Sequence, residues 1–209
     1  RIALTLLVVG CRRGDKNYIR ALMVLFWEFV NEFPEILFER FSVISERRVQ
    51  RQAKYLAGIV GDEKSHRNMW LETAHYLGLS YEVLHSYRGK FPLVAAISDH
   101  LRERAGIALM LLRVVGVEVV AEMLSTELLT SDNFCSALSE RARVWFKVHV
   151  VHEGTTHEQI ALRLALKELE DYGEDPQEVI NREVLNVVDM FVRAAGPVLE
   201  VAEEFAIAA

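Results

Sequence analysis

Ile107-Ala-Leu-Met-Leu-Leu-Arg113-Val-Val-Gly-Val-Glu118-Val-Val-Ala-Glu122-Met-Leu124 is a long apolar run that carries three charges. Arginine and glutamate are each expensive at the centre of a bilayer, so the run predicts a buried bundle helix and no membrane span. A buried carboxylate in turn needs a partner. Glu118 and Glu122 stand i and i+4 with almost nothing polar around them, and two kinds of partner are open at this stage. One is Arg113, or a lysine from another helix, in a purely structural pair. The other is a divalent metal held jointly with His and Glu side chains of other helices.

The rest of the chain agrees with a helical bundle. Its 209 residues are 51% apolar, with proline only at positions 34, 92, 176 and 197, which leaves long stretches suited to helices. A single all-α domain over residues 1–209 follows, since that length supports one full core and nothing in it forces a second. Asp15 caps a helix with Ile19, Leu22, Met23, Phe26, Phe29 and Val30 on one face, and Pro34 is expected to end or restart it. Ser45-Glu46 opens a segment to Val60 with Tyr55, Leu56 and Ile59 inward, Gly61-Asp62 reads as a turn, and Glu63 to Leu77 is the next helix. Pro92 starts a helix expected to reach about Thr130, bent at Gly106 or Gly116. Asp132-Asn133 restarts one to about Val151, Glu158 to Leu169 is amphipathic, and Asp175-Pro176 caps a last helix to about Phe205. No internal repeat, glycine-rich phosphate loop or low-complexity linker interrupts the chain.

Charge and cysteine content exclude some classes. Residues 1–104 hold 16 Lys/Arg against 12 Asp/Glu and residues 105–209 hold 8 against 18, so the net −6 is concentrated in an acidic second half that argues against a nucleic-acid partner. Cys11 and Cys135 form neither a CxxC nor a framework of pairs, which suits a reducing cytoplasm. Ile2 to Cys11 is a short apolar run ending in Gly-Cys, a pattern that can imitate a lipoprotein signal. Its direct continuation into Arg12-Arg13-Gly14 makes it the remainder of a first core helix, and the start at Arg1 rather than Met leaves room for residues ahead of it.

Two further clusters carry potential chemistry. Glu63-Lys-Ser-His66 places a carboxylate and an imidazole i and i+3 on one helix face. About eighty residues later, His149-Val-Val-His152-Glu153-Gly-Thr-Thr-His157 spaces His149, Glu153 and His157 by four. Bundles build di-metal sites from such inward Glu and His residues on facing helices, and mixed carboxylate and imidazole ligands suit iron or manganese. Solvated polar residues at helical spacing would produce the same pattern for either cluster alone. His75, His85 and His100 are isolated and read as surface or hydrogen-bonded residues, and the three tryptophans read chiefly as core.

Leu25-Phe-Trp-Glu-Phe-Val-Asn-Glu-Phe-Pro-Glu-Ile-Leu37, Asp62-Glu-Lys-Ser-His-Arg-Asn-Met-Trp70 with Tyr76-Leu-Gly-Leu79, and Phe146-Lys-Val-His149 together resemble the haem-oxygenase-like di-metal oxidases. These are relatives of the TENA and PqqC proteins and of the chlamydial protein associating with death domains. The resemblance, from about Gly14 to Leu169, implies an up-and-down bundle of about seven helices holding two iron ions, or iron with manganese, and no haem. It implies an oxidase or oxygenase that uses dioxygen on a small organic acid or amino-acid-like substrate, with homodimerisation left open. By position, Glu63 and His66 match the family's first Glu and His, Glu122 its mid-chain bridging Glu, and His149 with Glu153 the opening of its last motif. That motif would place its final His at Thr156, whereas this chain has His157, so a local irregularity at Gly154 is expected to turn His157 inward. His152 competes with His157, Glu118 with Glu122, and Asp62 is a lesser candidate beside Glu63. The alternatives are a metal-poor member that binds a ligand or a partner, and a TENA-like thiaminase, for which Cys135 would be the nucleophile.

Overall fold

The computed structural model describes residues 2–45, 50–150, 157–169, 173 and 175–207, with the side chains of residues 43–45 and 50–55 left aside. Among these every regular element is a helix: α1 (Ile2–Arg12), α2 (Lys16–Ser45), α3 (Gln50–Tyr76), α4 (Tyr81–Ser86), α5 (Pro92–Arg102), α6 (Ile107–Leu129), α7 (Asp132–Ala137), α8 (Val144–Val148), α9 (His157–Leu169), α10 (Pro176–Ala194) and α11 (Val198–Ile207), with one 3-10 turn at Arg141–Arg143. The expected helical bundle is present, cut into these eleven α segments. No described helix is long and apolar enough to cross a membrane.

Several element ends fall elsewhere than the sequence predicts, each for a local reason. Pro34 does not end α2: Phe33, Ile36 and Leu37 around it are all buried, and their burial outweighs the one backbone bond that proline removes. Gly61 is no turn, and α3 runs through it, because inward residues on both sides, Leu56 and Ile59 before it and Trp70 after it, hold one helix against its neighbours. The long helix after Pro92 is two, because the chain leaves helical geometry at Glu103 and re-enters through Gly106, the N-cap of α6. Extended backbone at Leu138 likewise divides the helix expected from Asp132, and Gly196-Pro197 divides the last one into α10 and α11. The Asp175 cap of α10 is as expected, its carboxylate accepting from the Gln177 amide at 2.9 Å with Pro176 next to it.

α6 lies among α1, α8, α9 and α10, while α2 packs on α3, α5 and α11. Every residue of α6 from Met110 to Glu118 is buried, as a helix apolar on all sides requires. Arg113 and Glu183 form a buried pair across α6 and α10, Nε to Oε2 at 3.2 Å, with Arg113 also donating to the His100 carbonyl at 2.6 Å and lying 3.2 Å from Glu103 Oε2. Arg113 is thereby committed to Glu183, and Glu118 has to find another partner.

The α6–α10 crossing is close at Gly116, where a Cβ would sit 2.8 Å from Val187 Cβ and 3.2 Å from the Val184 carbonyl oxygen. Gly116→Ala gains up to ~1 kcal/mol of helix propensity but overpacks a tight contact at a cost of ~1–3 kcal/mol. A lower melting temperature is expected in thermal denaturation. An increase would show that the two helices can separate at no cost.

Candidate metal centre

Four segments meet around the carboxylates of Glu63 and Glu118. α3 contributes Glu63 and His66 on one face, as their i, i+3 spacing predicts, and α6 contributes Glu118. His149 follows the last residue of α8, and His157 opens α9. The single helix face expected for His149 and His157 is interrupted at His149, where α8 ends. The stretch between them, with His152, Glu153, Gly154 and Thr156, lies outside the described residues.

Donor atoms of Glu63, Glu118 and His157 all lie within 4.8 Å of one another. His157 Nδ1 is 3.5 Å from Glu63 Oε1 and 3.6 Å from Glu118 Oε1. Its other ring nitrogen, Nε2, is 3.0 Å from Asp62 Oδ2, so Asp62 orients the ring from behind. His66 Nδ1 donates to Glu63 Oε1 at 3.1 Å, and its ring lies 4.7 Å from that of His149 and 6.1 Å from that of His157. His149 donates from Nδ1 to the Trp145 carbonyl at 2.7 Å, which leaves Nε2 with its lone pair.

The sequence expectations thus meet in part. Glu63, His66, His149 and His157 come together, and His157 is inward although it stands one residue late. Glu122, assigned the mid-chain role by position, is only half-buried, whereas Glu118, one turn earlier, is 8% exposed and faces Glu63 and His157. Asp62 serves as the outer partner of His157.

The electrostatics follow from burial and pairing. Burial raises the Glu63 carboxyl, but His157 and His66 outweigh it and hold the pKa at about 2. His157 is lowered by burial yet raised to about 11 by the two carboxylates beside it. Burial and the charge of Glu63 push Glu118 up. Burial, then the neighbouring His66, depress His149 to about 4. Glu118 Oε1 is buried with no hydrogen-bond partner among the described residues. A carboxylate oxygen without a hydrogen bond, facing a second carboxylate and an imidazole nitrogen at 3.6 Å, fits the hard and borderline donor set of iron or manganese.

These shifts set a pH profile for the metal-free protein. Glu63 contributes stability above its ordinary 4.5, lost as pH falls toward 2. His149, which folds as the neutral ring, withdraws stability as pH falls from 6.5 toward 4. His157 contributes fully below 6.5 and loses its contribution as pH rises toward 11. A melting-temperature maximum near neutral pH is expected in chelator-treated protein, and in His157→Ala the alkaline fall should flatten. A profile unchanged by that substitution would contradict the pairing.

Glu63, His66, Glu118 and His149 also line one wall of a cavity of about 250 Å³. Apart from Glu127, its other walls are apolar side chains, chiefly of α1, α2, α6 and α10, among them Leu7, Phe29, Val120 and Phe191. Neither cysteine lines it: Cys11 is buried, with its thiol pushed up by burial and by Asp15, and Cys135 Sγ–H faces the Leu129 carbonyl at 3.5 Å.

No family model matches the sequence, and no curated protein matches it. The fold is that of the TenA-type, haem-oxygenase-like helical proteins. A solved TenA homologue from Pseudomonas syringae pv. tomato str. DC3000 superposes with a TM-score of 0.77 over 93% of this chain and 84% of that one, at 16% sequence identity.

Proposed function

We propose that the chain is a metal-dependent oxidase or oxygenase that uses iron, alone or with manganese, and dioxygen on a small amphipathic organic acid. The observation that carries this reading is the buried Glu118 oxygen, which makes no hydrogen bond among the described residues and is clustered with Glu63 and His157, its ion-pair neighbour at 3.6 Å, beside an apolar cavity. A carboxylate kept dry at that depth costs stability unless something else binds it.

Glu63, Glu118 and His157 would hold the metal, with His66 and His149 in ring contact beside them as further ligands. Glu122, one turn along α6, and Glu153, outside the described residues, remain the positions from which a second ion would draw ligands. Bound in its reduced form, iron supplies the activation of dioxygen, a chemistry no side chain here provides. The chain's own part is positioning and exclusion of water. The Trp145 carbonyl fixes the His149 tautomer, Asp62 fixes His157, and the apolar walls orient the substrate's hydrocarbon part.

A second reading keeps the same cavity without catalysis. Glu63 is already hydrogen-bonded by His66, so a metal-poor protein of this fold could bind a ligand amine between the two carboxylates. The TENA-like thiaminase finds support in the fold but not in the cavity, where no cysteine is present among the lining residues. Anaerobic loading with iron(II), followed by oxygen and a panel of amino, aromatic and fatty acids, separates these readings. Oxygen uptake that requires iron and rises with one class of acid is expected. Uptake no greater than in iron-free protein across the panel would leave the ligand-binding reading in its place.

A further inference from the structure

We propose that the chain's three tryptophans and Tyr81 form a line along which an oxidising equivalent leaves the metal centre for the surface, a role that rests on the oxidase reading above. The line begins at His149, whose ring centroid is 4.2 Å from that of Trp145. Trp145 meets Trp70 edge-on at 4.6 Å. Trp70 then leads to α2, its Nε1–H donating to the Met23 carbonyl oxygen at 3.1 Å. Met23 lies one helical turn before Trp27, whose backbone amide is directed to that same oxygen by α-helical geometry. Trp27 meets Tyr81 edge-on at 5.9 Å, and Tyr81 is 45% exposed.

The chain contains no other tryptophan. All three indoles are buried, and all three lie between a candidate metal ligand and an exposed phenol. Core packing alone explains why indoles are buried, but it sets no order among them. Here the order runs from the candidate metal centre to a side chain that meets water.

The step balances as follows. Iron held by Glu63, Glu118 and His157, if oxidised by dioxygen with no substrate bound, would take up one electron. That electron comes from the Tyr81 phenol by way of Trp27, Trp70 and Trp145, each indole being oxidised and then re-reduced in passing. The phenolic proton goes to water, leaving a neutral tyrosyl radical. A thiol or ascorbate in solution then returns a hydrogen atom to it.

The test is freeze-quenched electron paramagnetic resonance on protein loaded anaerobically with iron(II) and exposed to oxygen without substrate, together with mass-spectrometric mapping of oxidised residues. A radical signal that narrows with ring-deuterated tyrosine is expected. In Tyr81→Phe that signal should disappear, and oxidation products on Trp145 and Trp70 should rise several-fold. Trp70→Phe should confine the products to Trp145 and His149. If that core variant fails to fold, the exposed Tyr81→Phe carries the test. Iron uptake and oxygen consumption with no aromatic radical, or the same oxidation pattern in wild type and Tyr81→Phe, would overturn the relay and leave the oxidase reading standing. Failure to take up iron would overturn both, since the line would then have no oxidant.

Discussion

Glu118→Leu is expected to remove metal binding and, in the same protein, to raise the melting temperature of the metal-free form. The carboxylate is buried, one of its oxygens has no hydrogen-bond partner among the described residues, and its charge opposes that of Glu63. Leucine removes the desolvation cost of that buried charge, on the order of several kcal/mol, against the loss of the 3.6 Å approach to His157 Nδ1. For a chain of this length each kcal/mol moves the midpoint by ~2–4 °C. His157, which Glu118 faces, keeps Asp62 and Glu63, so no new unpaired charge is left behind. Metal affinity should fall by more than the ~10–100-fold that loss of an outer-shell partner costs. Thermal melts in chelator and iron titration of the variant read the two effects separately. A destabilised variant that binds iron normally would assign Glu118 to the scaffold.

The opposite result is expected at Arg113. Arg113→Ala strips the buried Glu183 of its closest cation, leaving it only the largely exposed Arg182 at 3.4 Å. Breaking a buried pair in this way costs ~3–5 kcal/mol, a fall of roughly 6–20 °C at the same conversion. Iron stoichiometry should be unchanged, because Arg113 contacts none of the proposed ligands. The double variant Arg113→Met with Glu183→Leu should regain most of the loss. A Arg113→Ala protein with wild-type melting and lost iron would show that the arginine serves the site.

These two residues mark what the sequence could and could not settle. The charges within Ile107 to Leu124 pointed to a central buried helix, and the spacing of Glu63 and His66 placed both on one face of α3. Spacing alone left two carboxylates on one face of α6, and only packing against α9 decides that Glu118, not Glu122, reaches the depth of Glu63. The partner of Arg113 was equally hidden, because Glu183 lies 70 residues away on α10. Proline and glycine misled in both directions: Pro34 and Gly61 sit inside helices that burial holds together, whereas Gly106 and Gly196-Pro197 mark true breaks. The irregularity expected at Gly154 lies outside the described residues; α8 ends at Val148, and His157 is inward on α9. The aromatic line was invisible for a similar reason. Its members are far apart in the chain, and only the crossing of α2, α3 and α8 orders them.

Anaerobic titration of chelator-treated protein with iron(II), with the bound metal counted after desalting, tests directly whether Glu63, Glu118 and His157 form a metal centre. At least one equivalent should be retained by the wild type. Affinity should increase with pH as His157 gives up its Nδ1 proton, and retention should be lost in Glu63→Ala, Glu118→Leu and His157→Ala with helicity preserved. Iron that washes out of the wild type as readily as out of all three variants would contradict the metal centre itself.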